Sequence, residues 1–270
     1  MKKNIYFLSI VFASIQLYSQ NVTKIDDVTY RCEYLITYQL DSTNVSNKLS
    51  ETMFLLIGSK TSKFLSLTTF LKDSIKEHSK SSSNLQQLMA VPKTAFNHTI
   101  FKNYPQGKIT STENIFKDYY KYEEPISLFN WIITNETKTI SGYNCQKATA
   151  TFAGRDYVAW FTNEIPIADG PYKFNGLPGL IVKINDTKNH YEYKLTRFKK
   201  ITGDIGIAER NYIKTTKKEF KKVKKDFFNS LLGNLEQRGV FSVSMDASGK
   251  RNLQKRINKR NSNPIEKENK

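Results

Sequence analysis

The chain is poor in the residues that usually announce chemistry. Its 270 residues include only two cysteines, Cys32 and Cys145, and only three histidines, His78, His98 and His190. Two cysteines exclude a disulfide-dense scaffold. A single bridge between them is chemically allowed in an oxidising compartment, and a pair of small buried hydrophobes is the equal alternative. No histidine lies in an HExxH pattern and no CxxC pair exists, so the common zinc signatures are absent. The GxSxG nucleophile elbow and the GxxxxGK[ST] phosphate loop are missing too, and no cofactor is expected. Acidic residues are also short in supply: 25 Asp and Glu face 42 Lys and Arg, for a formal charge of +17.

Only one long apolar run is present, at the start. Lys2 and Lys3 precede an apolar stretch from Ile5 to Leu17, and Ser19 offers a small residue just before a cut. The stretch is short for a membrane span and reads as a cleaved signal peptide over residues 1–20. The expected location is therefore the periplasm or cell envelope. The remaining chain is long enough for one sizeable core.

What is present points to strands. In 28–40, Val28, Tyr30, Cys32, Tyr34, Ile36, Tyr38 and Leu40 alternate with polar residues, which predicts a half-buried antiparallel strand. Residues 49–57 read as its returning partner, and Phe64, Leu65 and Leu67 open a third strand. Further strands are expected at 97–102, 114–122, 128–134, 137–141, 144–152, 156–162, 180–185 and 190–198. Between Phe70 and Ala90, helical spacing is interrupted at Ser79–Ser83, which predicts a broken helix or a mobile connection.

Thr216 to Glu219 spells a capping box. Phe220, Val223, Phe227, Leu231 and Leu235 then recur at helical spacing as far as a stop at Gly239. The lysines of this helix are expected in water. A single β-rich domain is thus assigned to 21–245, and 246–270 is expected to be a basic tail that stays mobile without a partner. The expected fold is mainly β: a curved, half-barrel-like antiparallel sheet with one or two packed helices, or a β-sandwich.

The chemistry-bearing candidates are few. Asp186, His190 and Glu192 bring an imidazole and two carboxylates near one strand end, which suits metal ligation or acid–base work. The preferred reading is the plainer one, a turn aspartate and a solvent-facing strand edge. Arg155 and Asp156 read as an exposed ion pair. The basic helix and tail lack interleaved aromatics on their exposed side, which argues against nucleic acid. Contact with an anionic surface is the remaining use for their charge.

The segment FNGLPGLI, 174–181, stands out as apolar in a lysine-rich chain. Leu177-Pro178-Gly179-Leu180 predicts a type II turn with positive φ at Gly179. Gly170-Pro171 and Gly176 are further turn positions. Leu180, Val182 and Ile184 should share one buried strand face.

The block from Gly142 to Asp186 resembles the core of the GLPGLI family of exported Bacteroidetes proteins. The resemblance is carried by Gly142-Tyr143, Cys145, Lys147-Ala148, Arg155, Ala159-Trp160-Phe161, Ile165-Pro166, Gly170-Pro171 and the GLPGLI run itself. It is carried too by Asn263-Pro264-Ile265-Glu266 near the end. Lys267 follows where an apolar residue would suit docking, which counts against a docking role for that motif. The resemblance implies a cell-envelope protein with no settled activity, associated with outer-membrane receptors. The functional expectation is a non-enzymatic protein that binds an apolar ligand or an outer-membrane partner, with Trp160, Phe161, Tyr172, Phe174, Leu177 and Pro178 as contact candidates. The alternative is a metal-dependent or acid–base hydrolase using Asp186, His190 and Glu192.

Overall fold

The computed structural model describes residues 22–44, 47–78, 84–233, 247–260 and 262–267. The expected signal peptide (residues 1–20), Ser79–Ser83, Leu235 and Gly239 lie outside the described residues. Within them the fold is mainly β, with few helices. The first strands are β1 (Val22–Tyr38), β2 (Leu49–Gly58), β3 (Ser62–Ser66), β4 (Thr99–Lys102), β5 (Lys108–Ile115) and β6 (Asp118–Pro125). There follow β7 (Ile132–Ile140), β8 (Tyr143–Phe152), β9 (Arg155–Thr162), β10 (Leu180–Asp186), β11 (Tyr191–Lys200), β12 (Asp204–Ala208) and β13 (Tyr212–Lys214). The helices are α1 (Leu67–His78), α2 (Asn84–Ala90), α3 (Lys217–Asn229) and α4 (Ala247–Arg260). No helix among the described residues is long and apolar enough to cross a membrane.

The strands form one open sheet ordered β13-β6-β5-β4-β3-β2-β1-β11-β10-β9-β8-β7, with β12 added beside β1. All neighbours are antiparallel except β13, which runs parallel to β6. One continuous sheet replaces the β-sandwich alternative. It is also bent. Laid flat, nine strand spacings would separate β6 from β8 by roughly 40 Å. Yet Lys217 Nζ lies 2.6 Å from Glu124 on β6 and 5.1 Å from the Phe152 ring on β8.

Both faces of the sheet carry apolar residues near its middle. In β2, Met53, Leu55 and Ile57 enter the main core, while Phe54 and Leu56 join a second cluster with Leu65, Phe101 and Ile205. A strand buried on both faces reads as a continuous apolar run, and 49–57 does so. β1 shows the predicted alternation, with Cys32, Tyr34, Ile36 and Tyr38 all buried in the main core. Val28 departs from it. A register shift between Val28 and Tyr30 puts Val28 with the second cluster, since one extra residue turns a side chain to the other face.

Three expected strands were drawn wrongly. The run 114–122 contains a turn at Phe116-Lys117, where Phe116 has φ 58°, and so divides between β5 and β6. Its dense aromatics hide the turn. The separate strands at 128–134 and 137–141 are one strand, β7, with a register shift between Ile133 and Thr137. The short edge strands β12 and β13 were not anticipated. The broken helix is found as α1 and α2.

The cysteines are free and buried. Cys32 lies on β1 and Cys145 on β8, four strands apart in the sheet order. That is roughly 19 Å along a sheet, against the 7 Å Cα limit of a disulfide. Burial pushes both thiols up, Cys145 to about 11. Both side chains behave as small hydrophobes.

Candidate functional site

The connection from β9 to β10 is the hub of the molecule. After Thr162 the chain folds back over its own strand, and Leu180 N donates to Ile165 O while Ile181 N donates to Asp169 O. Trp131 Nε1 donates to Asn175 O at 2.8 Å, and buried Lys102 reaches Gly170 O and pairs with Asp169. Phe161, Tyr172, Phe174 and Leu177 are buried in the main core; Trp160 is half-buried against it, and Pro178 is exposed.

Gly179 does not have the positive φ that a type II turn requires; Gly176 has it, at 88°. Gly179 is needed for a different reason. A Cβ there would fall 2.1 Å from Thr162 O and 2.7 Å from Thr162 C, both backbone atoms. Gly170 is pressed against the Ile181 side chain in the same way, at 2.7 Å. Tyr172 takes φ 55°, a costly conformation for an aromatic residue. It directs the phenol into the core, where the hydroxyl donates to Glu266 Oε1 at 2.6 Å.

That contact belongs to the C-terminal segment, which is docked rather than free. Asn263 N donates to Leu40 O, its Nδ2 donates to Gln39 O, and Tyr191 Oη donates to Asn263 O. Arg155 grips the same segment with two of its three guanidinium nitrogens, Nη2 and Nε. Nη2 donates to Asn263 Oδ1 at 2.7 Å and Pro264 O at 2.6 Å, and Nε donates to Ile265 O at 3.0 Å. Its Nη1 pairs with Asp186 Oδ2 at 2.9 Å, both side chains being 2% exposed. The expected exposed pair of Arg155 with Asp156 is therefore corrected: Asp156 accepts from Thr151 instead.

Glu266 seats the end of the segment. It meets Lys173 at 2.7 Å and Lys217 at 2.8 Å, and both lysines also bind Glu124. Burial alone would raise the Glu266 carboxyl, yet Lys173 and Lys217 hold it well below the carboxylate range. Burial would likewise depress Lys173, but Tyr122, Glu266 and Glu124 keep it protonated and raised. Lys221 adds weaker contacts from the next turn of α3, and Lys224 pairs with Glu113. Three α3 lysines expected in water thus face inward, while Lys218 and Lys222 are exposed. Upstream, the basic stretch forms α4, and Gln254 Nε2 donates to Phe228 O just before the end of α3.

The predicted triad comes apart. Asp186 is taken by Arg155 and by the Tyr191 amide. His190 sits in the turn before β11, and its Nδ1 accepts from Arg155 at 3.2 Å, so Nε2 carries the proton. Burial lowers its basicity, and Arg155 adds to this against Asp186. Glu192 lies on β11 paired with Lys183. No group of three or more His, Cys, Asp or Glu among the described residues is placed to hold a metal.

What the fold does leave open is a cavity of about 940 Å³ between β4–β6, α3 and the docked C-terminal segment. Phe96, Ile100, Ile115, Phe220, Phe227 and Ile265 supply apolar wall. His98, Ser111 and Lys224 are among its polar groups. A smaller cleft of about 360 Å³ is lined mainly by polar side chains such as Lys63, Asp73, Thr112 and Arg210.

Residues 154–183, which span β9, the hub connection and the start of β10, match a family described as a protein of unknown function (Porph_ging). No curated protein matches the chain. Two solved structures of PNGF-II, in the P21 and C2 space groups, are similar to it at 17% and 16% identity, with TM-scores of 0.48 and 0.49. Each alignment covers 72% of this chain and 32% of that chain, so this chain spans about a third of their length. Likeness at this level assigns no activity.

Sequence reasoning missed the cavity and the ionic latch. Lys173, Glu124 and Glu266 look like surface residues in any local window. The only available signal was Asn263-Pro264-Ile265-Glu266 itself, a proline and an isoleucine in an otherwise polar, basic tail.

Proposed function

We propose that this is an exported, non-enzymatic envelope protein that holds an apolar small molecule in the cavity between α3 and the bent sheet. The observation that carries the reading is the cavity: about 940 Å³ is ample for a small-molecule ligand, and large aromatic and aliphatic side chains supply much of its wall. The catalytic candidates point away from chemistry: Asp186 is paired with Arg155, which itself holds the C-terminal segment, and Glu192 is paired with Lys183. The bent, open sheet covered on one side by helix and tail supports a half-barrel-like arrangement suited to such a role. Residues 1–20 supply the export signal.

The hub residues act as scaffold in this reading. Tyr172 and Lys173 also reach the cavity wall. Exposed Pro178 is the hub residue left open to an outer-membrane partner.

Native mass spectrometry of the mature chain isolated from its own envelope tests the proposal. A co-purifying adduct, removed by organic extraction, is the expected result. A bare mass before extraction, with no partner captured by mild cross-linking, removes it.

A further inference from the structure

Five lysines but only two carboxylates, Glu113 and Glu266, stand on the wall of the large cavity. The imbalance has a definite place. Lys224 is matched with Glu113 at 2.5 Å. Lys173 reaches Glu266 at 2.7 Å and Glu124 at 2.5 Å, and Lys217 meets the same two carboxylates at 2.8 and 2.6 Å. Two negative charges are thus already shared by two ammonium groups.

Lys221 comes third to that cluster. The one carboxylate within salt-bridge reach of it among the described residues is Glu266, whose Oε2 lies 3.6 Å away and already binds Lys217 at 2.8 Å. Its hydrogen bonds go to the backbone oxygens of Glu266 and Lys267, at 3.3 and 3.4 Å, both long. Lys173, Lys217 and Lys221 against Glu124 and Glu266 leave one positive charge unmatched at the cavity wall. Burial lowers the Lys221 ammonium; Glu266 opposes this, and Lys217 and Lys173 reinforce it. Lys267, also on the wall, is lowered by burial, Arg155 and Lys188 against Asp186. An anion relieves a half-buried cation in such surroundings, and its bond to an ammonium is about twice as strong as a neutral one.

The α3 helix sets apolar and charged wall side by side. Phe220, Lys224 and Phe227 fall on one helical row, and Lys221 and Lys225 on the next. Ile100 and Ile115, on β4 and β5, supply apolar wall on the sheet side. An elongated ligand therefore meets hydrocarbon and aromatic rings along its length and an ammonium group beside them. A cationic ligand would add to the excess of like charge, and a neutral one would leave it uncorrected.

We infer that the ligand is a single-chain amphiphile with one negative charge at its head, of the carboxylate class, its head at Lys221 and its chain against Phe220 and Phe227. This rests on the apolar-ligand reading above and adds the charge of the head group.

Titration calorimetry of the mature chain with decanoate, 1-decanol and decyltrimethylammonium separates the two claims. Decanoate should bind tightest and the cation weakest. Lys221→Gln should weaken decanoate about tenfold, the worth of one charge-assisted bond, and leave 1-decanol unchanged. Lys222→Gln removes the same charge from the exposed side of α3 and should change neither probe. That control separates a seat at Lys221 from the general attraction of a basic protein. The order of the three probes on wild-type protein decides the sign of the head group even where a variant fails to fold. Decanoate binding no tighter than 1-decanol, or weakened equally by Lys222→Gln, overturns the head-group inference and leaves the apolar cavity standing. Failure of wild-type protein to bind any of the three removes the apolar-ligand reading, and this inference with it.

Discussion

Two glycines three residues apart in the same apolar run would ordinarily be explained alike, yet Gly176 and Gly179 are required for different physical reasons. Gly176 has φ 88° and open space around it, so an alanine there strains the backbone by about 1–2 kcal/mol. Gly179 faces the Thr162 carbonyl at a distance that no Cβ tolerates, and both contacting atoms are backbone. Relief requires the β9 and β10 backbones to part. Gly179→Ala should therefore cost more than Gly176→Ala, about 3 kcal/mol or more. Urea denaturation of the two variants checks this, and a larger loss for Gly176→Ala would contradict the steric account. The turn chemistry legible in Leu177-Pro178-Gly179 located the sharp bend correctly and named the wrong cause. Contact with the Thr162 carbonyl could not be seen from within the motif.

Among elements, the C-terminal segment matters most for the fold relative to its length. Its carbonyls satisfy Arg155 and Tyr191, and its carboxylate neutralises Lys173 and Lys217. A buried ionic cluster of this kind adds little net stability when intact but is expensive to break, because removing one partner leaves the others charged and dry. Glu266→Gln should cost about 3 kcal/mol, and a chain ending at Arg260 should lose more. A loss of that size is a large fraction of a typical domain's stability. Differential scanning calorimetry should show a lowered midpoint for the point variant and a broadened or absent transition for the truncation. A truncated chain melting like wild type would refute the latch. α3 belongs to the same device. Its capping box was legible because it is a contact between residues three apart, Thr216 and Glu219. The inward direction of Lys217, Lys221 and Lys224 was not, because it depends on Glu124, Glu266 and Glu113, which are far away in sequence.

For the whole molecule, pH dependence is led by two strongly depressed groups, to which His190, Asp26, Asp41 and Glu219 add shifts of the same direction. His98 falls from an ordinary 6.5 to about 4 through burial, with Glu113, Lys224, Lys173 and Glu266 as its charged neighbours. Between those values the unfolded chain takes up a proton that the folded chain refuses. Stability therefore falls as pH falls, by up to about 1.4 kcal/mol per pH unit. Glu266 is also depressed, by Lys173 and Lys217 against the opposing effect of burial, so its contribution is complete above 4.5 and is lost progressively below it. Urea midpoints measured from pH 7 to pH 3 should decline in two overlapping limbs. His98→Phe should flatten the limb between pH 6.5 and 4 and leave the acid limb; an unchanged upper limb in that variant would show that His98 is not its source.

Much of the architecture was readable from local pattern. β1, β2, β8, β9, β10 and β11 were expected close to where they lie, because alternation of period two is imposed by the pleat and needs no distant partner. The weak points were also local: aromatics that mask the Phe116-Lys117 turn, and edge strands of three to five residues. Site chemistry was harder. Asp186 and His190 were correctly seen as close together, but their partner is Arg155, which reads as an exposed strand-end cation in its own neighbourhood.

The sequence by itself determined the strands, the α3 cap and the position of the bend at 176–179, because each depends on residues within a few positions of one another. Only the tertiary structure decided which charges are buried, which glycine is steric, and where space is left. Arg155 meets Asn263, Pro264 and Ile265 across more than a hundred residues. The cavity beside His98 and Ser111 exists because a bent sheet and one helix cannot close completely upon each other. Burial of a charge and the shape of a void are properties of atoms brought together by the fold, and no local run of residues carries them.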